Sequence, residues 1–351
     1  MSVLDRSAGV REGEELDAAA VGEYLRGHIP GLRGTPVIQQ FRGGASNLTY
    51  EVAFADRSFV LRRPPFGTKA KSAHDMRREF TIQKALKPHF LYVPEMIAYC
   101  DDPSVIGSDF YVMEKLTGII PRANLPRELT LSEPEVRELC RNVLDTLIEL
   151  HRIDPAVAGD VGKGAGYVRR QIEGWSDRYR RARTENVGDC ETVMQWLAAN
   201  IRDEVRLCVV HNDFRFDNVV LDPQQPTRVI GVLDWEMATI GDPLMDLGNS
   251  LAYWIEPADP EFLQMTRRQP TTLPGMMTRD EIVQTYCERM GLGEVQFAFY
   301  RIYGLFRLAV IAQQIYYRYH HGQTKNPDFA SYHALVNFLE QYCLELIEEE
   351  G

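Results

Sequence analysis

The order in which strand and helix periodicities follow one another in the first third of the chain leaves few folds open. Three runs rich in β-branched and aromatic residues, 37–42, 48–54 and 58–63, are separated by the turn formers Gly43-Gly44 and Asp56. A helical spacing then covers 73–86, and two further strand runs follow at 95–99 and 110–114. The order β-β-β-α-β-β predicts a small sheet carrying one helix, ending near Leu116-Thr117-Gly118. Ahead of it, Leu16, Val21, Tyr24 and Leu25 give residues 14–28 the apolar spacing of a helix. Residues 1–13, polar and glycine-containing, read as a frayed leader.

Beyond the sheet the pattern is mostly helical. Ser132-x-x-Glu135, with Pro134 in the first turn, opens a helix running to about Arg152, and Thr278-x-x-Glu281 repeats the capping signal ahead of 282–290. Long helical spacings occupy 295–319 and 332–349. The exception lies at 207–234, where the apolar runs 218–221 and 228–233 flank the turn Asp222-Pro223-Gln224-Gln225-Pro226 and predict a hairpin. A chain of 351 residues is long for one core. We expect an α+β protein of two domains, 1–116 and 117–351.

With 44% apolar and 25% charged residues the chain is an ordinary globular one, not a disordered or fibrous one. A net charge of -11 argues against nucleic acid as a partner. No apolar run is long enough to span a bilayer, and the start Met1-Ser2-Val3-Leu4-Asp5-Arg6 lacks the apolar core of a secretion signal, so neither membrane nor export is expected. The six cysteines form no C-x-x-C pair and read as reduced buried thiols, which makes the cytoplasm the expected compartment.

Chemistry concentrates in His211-Asn212-Asp213-Phe214-Arg215-Phe216-Asp217-Asn218, followed after the hairpin by Leu233-Asp234-Trp235-Glu236. An apolar strand at 207–210 delivers a loop with an aspartate and, five positions on, an asparagine. The hairpin returns to a second aspartate. Phosphoryl transfer needs a carboxylate to orient or deprotonate the attacking hydroxyl and oxygen ligands for Mg²⁺. Asp213 is the expected base, and Asn218 and Asp234 are the expected metal ligands.

This H-x-D-x-x-x-x-N pattern, the L-D-W-E after the hairpin, and Gly241-Asp242-Pro243-Leu244-x-Asp246-Leu247 resemble the aminoglycoside phosphotransferase-like kinases, distant relatives of the protein kinases. Three upstream segments, Phe41-Arg42-Gly43-Gly44-Ala45-Ser46-Asn47-Leu48-Thr49-Tyr50, Val60-Leu61-Arg62-Arg63-Pro64-Pro65 and Ser72-Ala73-His74-Asp75-Met76-x-Arg78-Glu79, resemble the branch found beside or fused to acyl-CoA dehydrogenases. The resemblance implies a protein kinase-like bilobal fold. A small antiparallel N-terminal sheet lobe with one helix precedes a larger, mostly helical C-terminal lobe, with ATP or GTP in the cleft. It makes Gly43, Gly44, Ser46 and Asn47 the phosphate-covering loop. It puts Arg62 where most such kinases carry lysine, as the contact to the α- and β-phosphates, with Glu79 as the partner that positions it. Arg63, adjacent on the strand, faces the other way. Met113, Glu114, Lys115 and Leu116 become the hinge against which adenine lies.

Blander readings stand beside these. Asp213 and Asn218 taken alone are turn formers. His211 reads as support for its loop, since no second histidine or cysteine joins it as a metal ligand. Asp217 and Asp222 read as solvated turn acids, Glu236 as a group behind the metal ligands, and Asp246 as an anchor of the catalytic loop. The nine Lys or Arg and two acids of 57–87 read as a solvated basic face or as an attractor for phosphates or a CoA ester. The stripe Phe299, Tyr303, Phe306 and Val310 reads as core. The expected reaction is transfer of a γ-phosphoryl to a hydroxyl of a small molecule, a hydroxylated acyl-CoA or related metabolite before an aminoglycoside-like antibiotic. The alternatives are a nucleotide-binding regulatory module with little turnover and, more remotely, a metal-dependent hydrolase.

Overall fold

The computed structural model describes residues 7–41, 47–65 and 75–350. Helix α1 (Ala18–His28) leads into β1 (Val37–Gln40), β2 (Leu48–Ala53) and β3 (Ser58–Arg63). Then come α2 (Met76–Leu86), β4 (Met96–Cys100), the short α3 (Pro103–Ile106) and β5 (Phe110–Glu114). The five strands form one antiparallel sheet in the order β1-β2-β3-β5-β4, as the strand and helix order implied. Both faces are covered, which the β3 pattern shows: Leu61 packs with Val21 and Leu25 of α1, and Val60 with Met76 of α2. Arg62 shares the Val60 face because strand side chains alternate. Arg63 points the other way and donates to the Ile106 carbonyl at 2.9 Å.

The expected frayed leader is held down where it is described. Ala8 exchanges backbone hydrogen bonds with Gln40 at 2.8 and 2.9 Å, and Ser7 donates to Glu51. The physical reason is the edge of β1, whose main-chain groups need partners that a free leader can supply.

The remainder runs through α4 (Glu133–Arg152), α5 (Tyr167–Ala182), α6 (Glu191–Ala199), β6 (Cys208–Val210), β7 (Val219–Leu221), β8 (Val229–Val232) and β9 (Thr239–Gly241). It ends with α7 (Pro243–Leu251), α8 (Glu261–Thr266), α9 (Arg279–Met290), α10 (Ala298–His320) and α11 (Tyr332–Glu349). The expected α+β arrangement, a small antiparallel sheet followed by a mostly helical remainder, is the one adopted. The capping box at Thr278 closes in both directions, with Glu281 N–H donating at 3.2 Å and Thr278 N–H at 2.8 Å. The stripe Phe299, Tyr303, Phe306 and Val310 is buried as core. Among the described residues no helix is long and apolar enough to cross a membrane.

The chain forms two compact units, drawn differently from the 1–116 and 117–351 division. The first holds Met1–Val143, Ala156–Val161 and Phe216–Ala238; the second holds Leu144–Pro155, Gly162–Arg215 and Thr239–Gly351. The first unit therefore includes the β7–β8 hairpin. Leu221 exchanges backbone hydrogen bonds with Ile119 at 2.8 and 2.9 Å, Val232 N–H donates to the Tyr92 carbonyl at 2.8 Å, and Asn142 donates to the Thr227 carbonyl at 2.8 Å. In the second unit β6 pairs with β9, an unanticipated strand of three residues, through Val209 opposite Ile240.

Asp242 caps α7. Its carboxylate accepts from Leu244 and Met245 N–H at 2.8 and 3.0 Å and from Val205 N–H at 2.8 Å, fully out of solvent. Burial pushes its pKa up to about 6 although those three bonds pull it down. The folded value lies above the unfolded one of 3.8, so its contribution to stability is fully present below pH 3.8 and is lost as pH rises through 6. Asp242→Asn keeps a capping oxygen. We expect the stability of the variant relative to wild type to rise by about 3 kcal/mol between pH 4 and pH 7. Thermal unfolding across that range checks it, and parallel curves would contradict the assignment; a constant offset from Asn facing the Val205 N–H leaves the slope untouched.

Candidate active site

In the first unit a buried cation sits among carboxylates. Arg62 on β3, 8% exposed, donates from Nη2 to Asp234 Oδ1 at 3.0 Å. It lies 3.8 Å from Glu79 Oε2 and 4.0 Å from Glu236 Oε2. The pairing of Arg62 with Glu79 thus follows the expectation, while the shorter contact to Asp234 is one that spacing along the chain did not announce. Burial works against the charge on Arg62, but the carboxylates of Glu79, Asp234 and Glu236 outweigh it and hold its pKa well above the ordinary arginine value. Burial likewise pushes the Glu79 carboxyl up, against the pull of Arg62 and of hydrogen bonds from Tyr111 and Asn47. The distances reconcile the two: Arg62 is committed to Asp234, and the hydrogen bonds Glu79 accepts come from neutral donors. These are Tyr111 Oη at 2.9 Å and Asn47 Nδ2 at 3.0 Å. Arg62 Nε, buried, has no acceptor among the described residues.

Asn47 also donates from Nδ2 to Glu236 Oε2 at 3.1 Å, which places Glu236 behind Asp234 in the same network. The other expected loop residues, Gly43, Gly44 and Ser46, lie outside the described residues. Arg78 on α2 donates to the carbonyls of Glu236 and Ala238, so the helix that carries Glu79 also grips the turn that follows Asp234. Asp234 adopts a left-handed backbone, φ 66°. Behind it the buried Trp235 indole donates to the Val232 carbonyl at 2.9 Å and packs edge-on against Phe90. Leu233 N–H donates to the Asn218 carbonyl at 2.8 Å, so Asn218 and Asp234 leave the same open end of the β7–β8 hairpin. Among the described residues no three His, Cys, Asp or Glu side chains converge as a metal cage. Asn218 and Asp234 offer oxygen donors only, and few of them, the set that suits an ion keeping water and phosphate in its shell. Of the expected hinge, Met113 and Glu114 pair within the sheet, opposite Val60 and Phe59. Lys115 and Leu116 follow the strand end, with Lys115 bound to Glu51.

In the second unit β6 feeds the loop that starts at His211. Asp246 on α7 is fully buried and accepts from His211 N–H and Asn212 N–H, both at 2.7 Å, and contacts His151 Nε2 at 3.0 Å. Burial alone would raise its pKa; the bonds from His151 and His211 hold it below the usual carboxylate range. Asp246 is therefore an anchor of the loop. His211 supports it too, with Nδ1 accepting from Asp213 N–H at 3.2 Å. Asn212 takes a left-handed backbone, φ 63°, which asparagine tolerates. Its carbonyl accepts from the buried Arg307 at 2.7 Å, and its Oδ1 accepts from Tyr167 Oη at 3.0 Å and Asn249 Nδ2 at 3.1 Å. Asp213, the next residue, pairs through Oδ2 with Arg215 Nη2 at 3.2 Å. Tyr167, Asn249 and Arg307 come from α5, α7 and α10; no local signal tied them to the loop, although an asparagine directly before the candidate base hinted at the left-handed turn.

Comparison with known proteins bears on the family and the fold. The profile of the phosphotransferase enzyme family (APH) matches residues 37–280. Acyl-CoA dehydrogenase family member 10 of Mus musculus is 35% identical over 350 residues, covering 97% of this chain and 32% of that protein. The chain thus spans about a third of the length of that relative. A solved structure of a candidate aminoglycoside phosphotransferase from Ralstonia eutropha is 28% identical, with a TM-score of 0.79 over 95% of this chain and 99% of that one. A thermostable mutant of the aminoglycoside phosphotransferase APH(4)-Ia, solved with AMP-PNP and hygromycin B, shares the fold at a TM-score of 0.57 and 16% identity, over 94% of this chain and 98% of its own. The kinase-like fold, the order of the motifs and the family profile agree: this chain belongs to the phosphotransferase enzyme family.

Proposed function

We propose that the chain transfers the γ-phosphoryl of ATP to a hydroxyl of a small molecule. The observation that carries this reading is the assembly in one unit of Arg62, Glu79, Asp234 and Asn218, a cation and oxygen ligands suited to polyphosphate, in a chain of phosphotransferase family. Arg62 holds the α- and β-phosphates; its buried Nε–H, without an acceptor among the described residues, is a donor that a phosphate oxygen satisfies. Glu79, fixed by Tyr111 and Asn47, keeps Arg62 in place. Asn218 and Asp234 hold Mg²⁺, which when bound neutralises charge on the phosphates. Asp213 orients the acceptor hydroxyl and receives its proton. Catalysis of this kind is positioning and electrostatics more than covalent chemistry.

ATP is preferred to GTP as co-substrate because a fold relative was solved with an ATP analogue. For the acceptor, a hydroxylated acyl-CoA or related metabolite is preferred to an aminoglycoside, on the name of the mouse relative and on the basic run at 57–87. The cytoplasm is the proposed location, a reducing compartment that suits six free, buried thiols. One observation favours a second reading, a nucleotide-binding module with little turnover: Arg62 bonds Asp234 directly, occupying the oxygen a metal would use.

Two measurements separate these. For a kinase, Asp213→Asn lowers turnover by about 10²–10⁴-fold while nucleotide affinity, read by calorimetry, stays within a few-fold. For a module there is no turnover to lose. Thermal unfolding with ATP or GTP, each with and without Mg²⁺, is the second. At a hundred times Kd, nucleotide stabilises the wild type by about 2.7 kcal/mol, a rise of several degrees. In Asp234→Asn, which tolerates the left-handed backbone and keeps an acceptor for Arg62, we expect the Mg²⁺-dependent part of that rise to disappear. Equal shifts with and without Mg²⁺ in the wild type would contradict the metal assignment.

A further inference from the structure

On α5, Trp175 and Arg178 lie three residues apart and so share a face; on α10, Tyr303 and Arg307 lie four apart and do the same. The two faces meet at the indole. Arg178 Cζ stands 4.6 Å from the centroid of the Trp175 ring, and Arg307 Cζ 5.1 Å. Arg307 is 2% exposed, and an arginine so far out of water is almost always paired. Among the described residues neither Arg178 nor Arg307 is in an ion pair. Arg307 spends Nη2 on a neutral acceptor, the Asn212 carbonyl, at 2.7 Å. Burial pulls the Arg178 pKa down, and the like charges of Arg181 and Arg307 pull it the same way.

Tyr303 adds a donor at the same place. It is wholly buried, and its hydroxyl has no hydrogen-bond partner among the described residues. The Trp175 indole N–H close to it is committed to Gln171 Oε1 at 3.1 Å. Burial pushes the phenol up to about 12 against the pull of Arg307 and Arg178, so at neutral pH it is an O–H donor. Two cations without a counter-ion and a hydroxyl without an acceptor are the complement of an oxyanion. Each guanidinium offers parallel N–H groups to it, and lying over one ring restrains both. A polyamine meets only like charge there. Arg307 also sets the distance to the chemistry. The Asn212 carbonyl that it holds belongs to the peptide bond with Asp213, so an oxyanion bound by Arg307 lies beside the candidate base.

We infer that Arg178, Arg307 and Tyr303 form a subsite for an oxyanion of the phosphoryl acceptor, a carboxylate or a phosphate, which makes the acceptor an anionic alcohol. Arg178, exposed, closes the site from the solvent side, and Arg307 and Tyr303 hold the inner oxygens. The inference rests on the phosphotransferase reading and on Asp213 as base.

The probes are lactate and glycerol phosphate, each against its uncharged counterpart, propylene glycol and glycerol, with ADP and Mg²⁺ present to fill the nucleotide site. Calorimetry and tryptophan fluorescence read binding. In the wild type at least one anion binds at millimolar concentration and neither counterpart does; which anion binds tells carboxylate from phosphate. In Arg178→Gln the affinity for that anion falls about tenfold or more. Tyr303→Phe, which loses only the hydroxyl, shows a smaller loss, and Trp175→Phe loses the fluorescence change. Arg180→Gln, which takes a charge from the same helix but from an arginine bound to Glu191, leaves the affinity unchanged. With ATP in place of ADP, turnover of the anion exceeds that of its counterpart, and Arg178→Gln raises KM more than it lowers kcat. A wild type that binds neither anion overturns the subsite, as does an affinity unchanged in both Arg178→Gln and Tyr303→Phe. Turnover of the uncharged counterpart at or above that of the anion overturns the assignment to the acceptor. A wild type that binds the anion but not ADP with Mg²⁺ overturns the phosphotransferase reading, and the acceptor assignment with it, while the variants still decide the anion site.

Discussion

Taking an ionised group out of water is so costly that the chain around it must be arranged to compensate, and each compact unit is organised by one such group. In the first it is Arg62, whose charge is held by Asp234 with Glu79 and Glu236 nearby. In the second it is Asp246, fully buried, which collects two backbone N–H groups and His151. Neither arrangement is a cheap source of stability, since a buried pair returns little more than its desolvation cost. What each supplies is definition. Arg62 sets where β3, α2 and the turn at Asp234 stand; Asp246 sets where β6, α7 and the loop at His211 stand.

Arginine at 62 in place of lysine has a structural consequence. A flexible ammonium would offer a compact charge. The guanidinium spans Asp234 and Glu79 from separate nitrogens and still has a buried Nε–H without an acceptor among the described residues. Tyr111 reinforces this. Burial above all pushes its phenol well above the ordinary range, so it stays a donor to Glu79. Arg78 then ties α2 to the turn after Asp234 through main-chain carbonyls, which couples the Arg62 partner to the candidate metal ligand.

Much of this was legible in residue order. The strand runs, the capping box at Thr278 and the hairpin between Asn218 and Asp234 are written in local periodicity and turn chemistry, and local rules decide them. So are Asp213, Asn218 and Asp234, because they fall at fixed intervals along one stretch of chain. The Arg62–Glu79 pair was legible only through resemblance, being 17 positions apart. The three-residue strand β9 carried no signal, since so short a run has no periodicity to read and exists because β6 needs a partner. The leader was misread at Ser7 and Ala8 for the same reason: its hydrogen bonds depend on an edge formed elsewhere.

Sequence by itself determined the family to which the chain belongs, most of the elements of the fold and the candidate residues for the site. These follow from identity and spacing, which need no third dimension. Only the tertiary structure decided which charges meet. Nothing in the order of residues could say that Arg62 would bond Asp234 rather than Glu79 most closely. Nor could it say that Arg307, 95 positions away, would hold the carbonyl of Asn212. Burial makes the difference. An exposed polar group can be satisfied by water wherever it lies, whereas a buried one must find its partner in the protein, and the packed core alone determines which partner is within reach.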